Sequence, residues 1–251
     1  MSASAVLADL QAIQAAGFHH IRTYSVDCAT LSIVCDQAIS LGMSLTVGVY
    51  LDDTGTVRGQ ADLSTVIAWA QWSNVVAINI GNEAVFNGWI SATAMVAFIG
   101  SATTQLRNAG YTGIVSTVET VGTYQANPIL CDAVETIIHA NIHAYFDAQC
   151  TSAEAGSFVV SQQQLVAGLC GKQVIISESG WPSGGGNNGA AIASPQDQQT
   201  AINSIRQATG GACTFFSYKN DPWKPPGVEQ YFGTQPPFFY VADFVGCCQL
   251  F

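Results

Sequence analysis

The chain has 251 residues, 17 acidic against 7 basic side chains, a formal charge of −10, and 49% hydrophobic but only 10% charged residues. Twelve Phe, eight Tyr and five Trp call for a sizeable core, which excludes a disordered chain. Three Lys and four Arg cannot neutralise a phosphate backbone, which excludes nucleic acid and anionic membrane as partners.

In chain order, Val6, Leu10 and Ile13 mark one face of an opening helix from Ser4, which Gly17 stops before a short strand, His20 to Tyr24. A second helix is predicted over Cys28 to Leu41, and a strand over Ser44 to Leu51. Leu63 to Trp72 reads as a helix and Val75 to Ile80 as the third strand. After a helix from Ala92 to Asn108, Gly113 to Thr117 forms a fourth strand that ends near Glu119. Further strands read at Thr136 to His143, Gln173 to Ser177 and Cys213 to Ser217, with helices around Phe158 to Leu169 and Pro195 to Ala208. The Gly184-Gly185-Gly186 run lacks the Lys-Ser/Thr of a phosphate cradle and reads as a flexible loop.

The seven strands are continuous apolar runs, the mark of parallel strands covered on both faces. Their regular alternation with helices, with no linker, argues for one α/β domain over residues 1–251. A (β/α)8 TIM barrel needs about 250 residues. The doubly wound alternative lacks its nucleotide signature, because no GxGxxG follows a strand.

Eight cysteines are an even number and form no CxxC pair, which favours a disulfide framework and an extracellular setting over a zinc site. The alternative is a mixture of bridges and buried thiols. No signal peptide and no run of about 18 apolar residues is present, so the chain reads as a mature or trimmed form without a membrane span.

A barrel carries its chemistry at the C-terminal ends of its strands, which reduces the carboxylates to Asp27, Asp52, Asp53, Glu83, Glu119, Asp147, Glu178 and Asp221. Glu83 and Glu178 differ from the rest because they directly continue very apolar strands. A carboxyl carried into such a cleft has its charged form disfavoured, as a general acid requires. Two of them suit glycoside cleavage, a metal, or ion pairing with Arg22. The histidines show no metal-ligand spacing with either Glu, and no Gly-x-Ser-x-Gly elbow is present, so neither a metal nor a serine nucleophile is expected.

Ile21-Arg22-Thr23-Tyr24, Asn82-Glu83, Glu178-Ser179-Gly180-Trp181-Pro182-Ser183 and Asp221-Pro222-Trp223-Lys224, in this order, resemble glycoside hydrolase family 17. The resemblance is to its fungal members. It implies a (β/α)8 barrel acting on β-1,3-glucan, by hydrolysis or glucanosyl transfer, without a cofactor, as a secreted or cell-wall monomer. Glu83 would be the acid/base at the end of the family's fourth strand and Glu178 the nucleophile at the end of its seventh. Retaining chemistry follows, with the carboxyl groups about 5 to 5.5 Å apart.

Arg22 would hold Glu178 ionised, and Asn82 would donate to the sugar hydroxyl beside the reacting carbon. Tyr24, Tyr124, Tyr145 and Trp181 offer flat faces to sugar rings, and Glu119, Asp221 and Lys224 are counted with the substrate contacts. The family often has Glu where Asp221 stands. His139 and His143 read as hydrogen-bonded residues of their strand, without a role.

The family's first strand normally precedes the helix that opens here at Ser4. Either it is absent, leaving two free edges, or a segment such as Phe238-Phe239-Tyr240-Val241 replaces it, and truncation is the preferred reading. The expected activity is cleavage of internal β-1,3-glucan linkages. The alternatives are glucanosyl transfer, a catalytically silent glucan-binding barrel, and a β-1,4-specific relative.

Overall fold

The computed structural model describes residues 2–234. Ser2 caps the first helix, α1 (Ala3–Ala15), by accepting a hydrogen bond from Ala5 N, and Val6, Leu10 and Ile13 are its buried face. The chain then runs β1 (His20–Arg22), α2 (Asp36–Ser40), β2 (Ser44–Val49), α3 (Thr56–Trp69), β3 (Val75–Asn82), α4 (Ala92–Asn108), β4 (Ile114–Thr120), α5 (Val121–Ala126), α6 (Ile129–Asp132), β5 (Ile137–Asn141), α7 (Ala155–Cys170), β6 (Gln173–Ser179), α8 (Pro195–Thr209) and β7 (Cys213–Phe215).

The seven strands pair in sequence order and all are parallel, forming a nearly closed barrel with the helices outside. Most residues of the strands are buried on both faces, which fits strands rich in consecutive apolar residues rather than strictly alternating ones. Among the described residues β1 and β7 have no pairing with each other, so the sheet ends there in two edges. The segment Phe238 to Val241, named as a possible replacement strand, lies outside the described residues. At the N-terminal end of the strands a cavity of about 320 Å³ opens between His20, Thr46, His139 and Thr214.

Three local expectations are corrected. The helix predicted over Cys28 to Leu41 is broken into a 3-10 turn (Asp27–Ala29), a π-helical turn (Thr30–Cys35) and the short α2. Cys28 and Ala29 adopt left-handed φ values of 54° and 60°, which a continuous helix cannot contain. Two short helices, α5 and α6, fill a stretch with no predicted element. Thr120 caps the first of them through Thr123 N, and Asn127-Pro128 separates it from the second. The glycine run after Ser183 is no loose loop. A Cβ on Gly185 would come within 2.7 Å of the Gly227 backbone, and Tyr145 donates its hydroxyl hydrogen to Gly186 O at 2.6 Å.

Among the described residues the cysteines form a mixture rather than a fully paired framework. A disulfide joins Cys131 to Cys170, tying α6 to the end of α7, and Cys28 is also disulfide-bonded. Cys35 and Cys150 are buried free thiols.

Candidate active site

β3 hands the chain to a tight turn at Asn82-Glu83. Glu83 sits at φ 52°, a left-handed conformation that a non-glycine residue keeps only where its surroundings enforce it. Its N–H donates to Val118 O at 2.8 Å, and Asn87 N donates back to Glu83 O at 2.9 Å. Asn141, at the end of β5, donates from Nδ2 to Glu83 Oε1 at 2.9 Å and to Asn82 Oδ1 at 3.1 Å.

Across the barrel Glu178 lies near the end of β6 and is 6% exposed. Arg22 reaches it from β1. Its Nη1 donates to Glu178 Oε1 at 2.8 Å and to Ser177 O at 2.7 Å, while Nη2 donates to Asn82 Oδ1 at 2.7 Å. Thus one buried guanidinium links the side chain before Glu83 with the Glu178 carboxylate. The guanidinium also lies over the Tyr24 ring, 4.4 Å from its centroid. His143 Nε2 stands 3.4 Å from Glu178 Oε2, with the ring held edge-on by Phe146, Phe216 and Phe232.

The two carboxyl groups are driven in opposite directions. Burial, followed by the negative charge of Glu178, raises the Glu83 carboxyl above its ordinary range against the opposing hydrogen bond from Asn141. Burial also pushes Glu178 upward, but the charge of Arg22 and hydrogen bonds from His143 and Tyr24 outweigh it and hold the group at about 2. One cavity of about 160 Å³ therefore holds a carboxyl that retains its proton more readily beside one that is ionised.

Of the residues expected at the site, Tyr24, Asn82, Glu83, Glu178 and Lys224 line this cavity. Arg22 lies directly behind it, and Lys224 pairs with Asp221 at 3.3 Å and Glu229 at 3.5 Å. Asp221 is buried and also accepts from Trp223 Nε1, so it fixes Lys224 rather than lining the cavity.

The barrel matches the BtgE/BtgC glycoside hydrolase domain over residues 1–233. The chain belongs to that family. Among its relatives, "Probable beta-glucosidase btgE" of Aspergillus terreus is 40% identical over 233 residues, 91% of this chain and 42% of the relative. The protein of the same description from Neosartorya fischeri is 39% identical over 234 residues, covering 92% of this chain and 42% of the relative. The chain thus spans less than half the length of these relatives. Among solved structures, a glycoside hydrolase family 17 β-1,3-glucanosyltransferase from Rhizomucor miehei superposes with a TM-score of 0.83 at 22% identity, covering 97% of this chain and 93% of that one. An endo-laminarinase from Formosa superposes with a TM-score of 0.78 at 17% identity, covering 93% and 78%. At these identities the likeness establishes the barrel fold.

In this BtgE/BtgC-family barrel, four expected substrate contacts lie beneath the cleft instead of in it. Tyr124 is fully buried and donates its hydroxyl hydrogen to His139 O at 2.9 Å. Trp181, 0% exposed, donates from Nε1 to Ile192 O at 2.8 Å, and Tyr145 packs edge-on against it. Glu119, also 0% exposed, accepts hydrogen bonds from Val85 N and Phe86 N. Each has its polar tip satisfied inside the protein and no face left for a sugar ring.

The cleft is completed by residues outside the predicted set. Asn141, His143, Phe146, Phe216, Glu229 and Phe232 face the carboxyl pair or its mouth. Asn141 at the end of β5 and His143 just past it satisfy the same strand-end criterion applied to the carboxylates; extending it to amides and imidazoles identifies both. Beyond Glu83 a groove of about 740 Å³ runs between Phe86 and Phe146, which are 61% and 53% exposed. Among the described residues no group of three or more His, Cys, Asp or Glu side chains is gathered to hold a metal ion.

Proposed function

We propose that this domain is a retaining β-glucan glycosidase that cleaves internal β-1,3 linkages through a covalent glycosyl-enzyme. The observation that carries the reading is the opposed ionisation of Glu83 and Glu178 within one cavity. Glu178, ionised beside Arg22, attacks the anomeric carbon as Glu83 protonates the departing glycosidic oxygen; the C–O bond breaks and an ester to Glu178 forms. Glu83, now a carboxylate, takes a proton from an incoming hydroxyl, whose oxygen attacks the same carbon and releases Glu178. Asn82 Oδ1 already accepts from Arg22 and Asn141, which leaves its NH2 as the group offered to the sugar hydroxyl beside the reacting carbon.

The open groove beyond Glu83 supports action within a chain, because several sugar units can lie along it between two exposed aromatic rings. The β-1,3 linkage is supported by the resemblance to family 17 and by a structural neighbour solved as an active-site mutant with laminaritriose. The same groove favours a second reading, glucanosyl transfer, in which it holds an acceptor chain whose hydroxyl replaces water. The Cys131–Cys170 disulfide supports an extracellular site of action. Among the described residues no helix is long and apolar enough to cross a membrane.

The test is a panel of linkage-defined glucans with product sizing. Cleavage of laminari-oligosaccharides blocked at the non-reducing end supports internal action, and release of glucose alone from unblocked chains overturns it. Products longer than the substrate assign transfer. Activity confined to β-1,4-glucans removes the linkage assignment, and inactivity on every glucan with retained binding leaves the binding barrel.

A further inference from the structure

The turn that carries Glu83 is gripped from one side by two consecutive residues near the end of β4, Val118 and Glu119. Val118 O accepts the Glu83 N–H at 2.8 Å. Next in sequence, Glu119 places Oε1 at 2.8 Å from Val85 N and Oε2 at 3.2 Å from Phe86 N. Thr120 then caps α5. Two backbone donors, two and three residues past a left-handed Glu83, therefore end on the two oxygens of one carboxyl, which is wholly shielded from solvent.

We propose that Glu119 is a positioning residue for catalysis, a clamp that holds the 83–87 turn so that the Glu83 carboxyl is aimed at the leaving glycosidic oxygen. This rests on the reading of Glu83 as the acid/base. Among the described residues the Glu83 head receives one side-chain hydrogen bond, from Asn141 to Oε1, so its direction depends on where the turn places Cα. A φ of 52° is not one that Glu keeps unaided. Val118, on β4, fixes the N–H of Glu83, and Asn87, at the far side of the turn, fixes its carbonyl; Glu119 fixes the Val85 and Phe86 peptides between them. Without Glu119 the Val85 and Phe86 N–H groups lose their buried acceptors, and the turn relaxes toward other partners. Displacing an acid by about 1 Å is enough to cost on the order of 100-fold in proton transfer efficiency.

A clamp of this kind predicts a selective defect. Departure of a poor leaving group, the sugar of a natural oligosaccharide, needs the proton from Glu83, whereas a 2,4-dinitrophenolate leaves without one. The experiment compares kcat/KM of the wild type, Glu119→Ala, Glu119→Gln and Glu83→Gln on laminaritetraose and on 2,4-dinitrophenyl β-laminaribioside. Melting curves are recorded in parallel. Expected for Glu119→Ala is a loss of roughly 10- to 100-fold on the oligosaccharide, with the activated glycoside held within about 3-fold. Glu119→Gln, which keeps one acceptor and the side-chain volume, should fall between the alanine variant and wild type. Equal losses on both substrates, no loss on either, or failure of both variants to fold would each overturn the proposal and make Glu119 a stability residue. If Glu83→Gln shows no selective loss on the oligosaccharide, the acid/base reading of Glu83 fails instead, and it fails in its own arm of the experiment.

Discussion

Arg22 Nη1 donates to Glu178 Oε1 at 2.8 Å with both side chains no more than 7% exposed, so the ion pair is sealed from solvent. Removing one partner of a buried pair leaves an uncompensated charge and typically costs about 3 to 5 kcal/mol. Arg22→Met should therefore lower stability by that order, seen in denaturant midpoints. Because it also removes the main force holding Glu178 ionised, the acid limb of kcat/KM should move to higher pH. A variant that loses stability while its acid limb stays in place would contradict the assigned electrostatic role.

The same pair sets part of the response of the fold to acid. Glu178 is held at about 2 in the folded protein against an ordinary value of 4.5, so its contribution is fully present above 4.5 and is lost as the pH falls toward 2. At about 1.4 kcal/mol per unit this amounts to on the order of 3 kcal/mol. Urea unfolding from pH 6 down to pH 2 should show the wild type losing stability more steeply than Glu178→Gln. Parallel curves would rule out the shift.

In the proposed mechanism Glu83 sets the opposite limb. Burial and the charge of Glu178 raise its carboxyl, while the hydrogen bond from Asn141 favours the ionised form and lowers it. Asn141→Ala removes that hydrogen bond, so the proton is retained to higher pH and the alkaline limb of kcat/KM should move upward. The pH profile of the purified variant on a β-1,3-oligosaccharide measures it; a downward movement contradicts the role given to Asn141.

The strand count was legible in the sequence because parallel strands covered on both faces leave unbroken apolar runs, and Glu83 and Glu178 stand out as charges that continue two of them. The roles of Tyr124 and Trp181 were not. An aromatic residue whose polar tip bonds a carbonyl, as in Tyr124 to His139 O and Trp181 to Ile192 O, looks in sequence the same as one that faces a ligand. Glu119 was misplaced for a related reason: its partners are two backbone N–H groups of a turn, and backbone donors leave no mark in a sequence. The break at Cys28 and Ala29 was hidden as well, because neither residue type advertises a left-handed conformation.

Burial raises Glu119 to about 7 despite the hydrogen bonds from Val85 and Phe86. A carboxyl raised from 4.5 in this way stabilises the fold fully below 4.5, and the contribution is lost as the pH rises through about 7. The change is on the order of 3 kcal/mol. Thermal unfolding between pH 4 and pH 8 should show a decline in the wild type that is smaller in Glu119→Gln, whose amide does not titrate. The two curves need not coincide at any pH, because the amide also replaces one acceptor; the difference in slope is the quantity that tests the shift.

Trp181 and Phe86 separate core from cleft. Trp181 is 0% exposed and anchors Tyr145, so Trp181→Ala should cost about 3 to 5 kcal/mol of stability as a large-to-small core substitution. Phe86 is 61% exposed on the groove beyond Glu83, and Phe86→Ala should leave stability within about 0.5 kcal/mol. Its effect should appear instead in the substrate. A chain long enough to reach the groove loses its contact with the ring, so KM should rise for long β-1,3-glucans while short oligosaccharides are nearly unaffected. Measuring KM against chain length in both proteins tests this directly: an equal rise at every length would place Phe86 at the reacting sugar, and no change at any length would remove the groove from the substrate path.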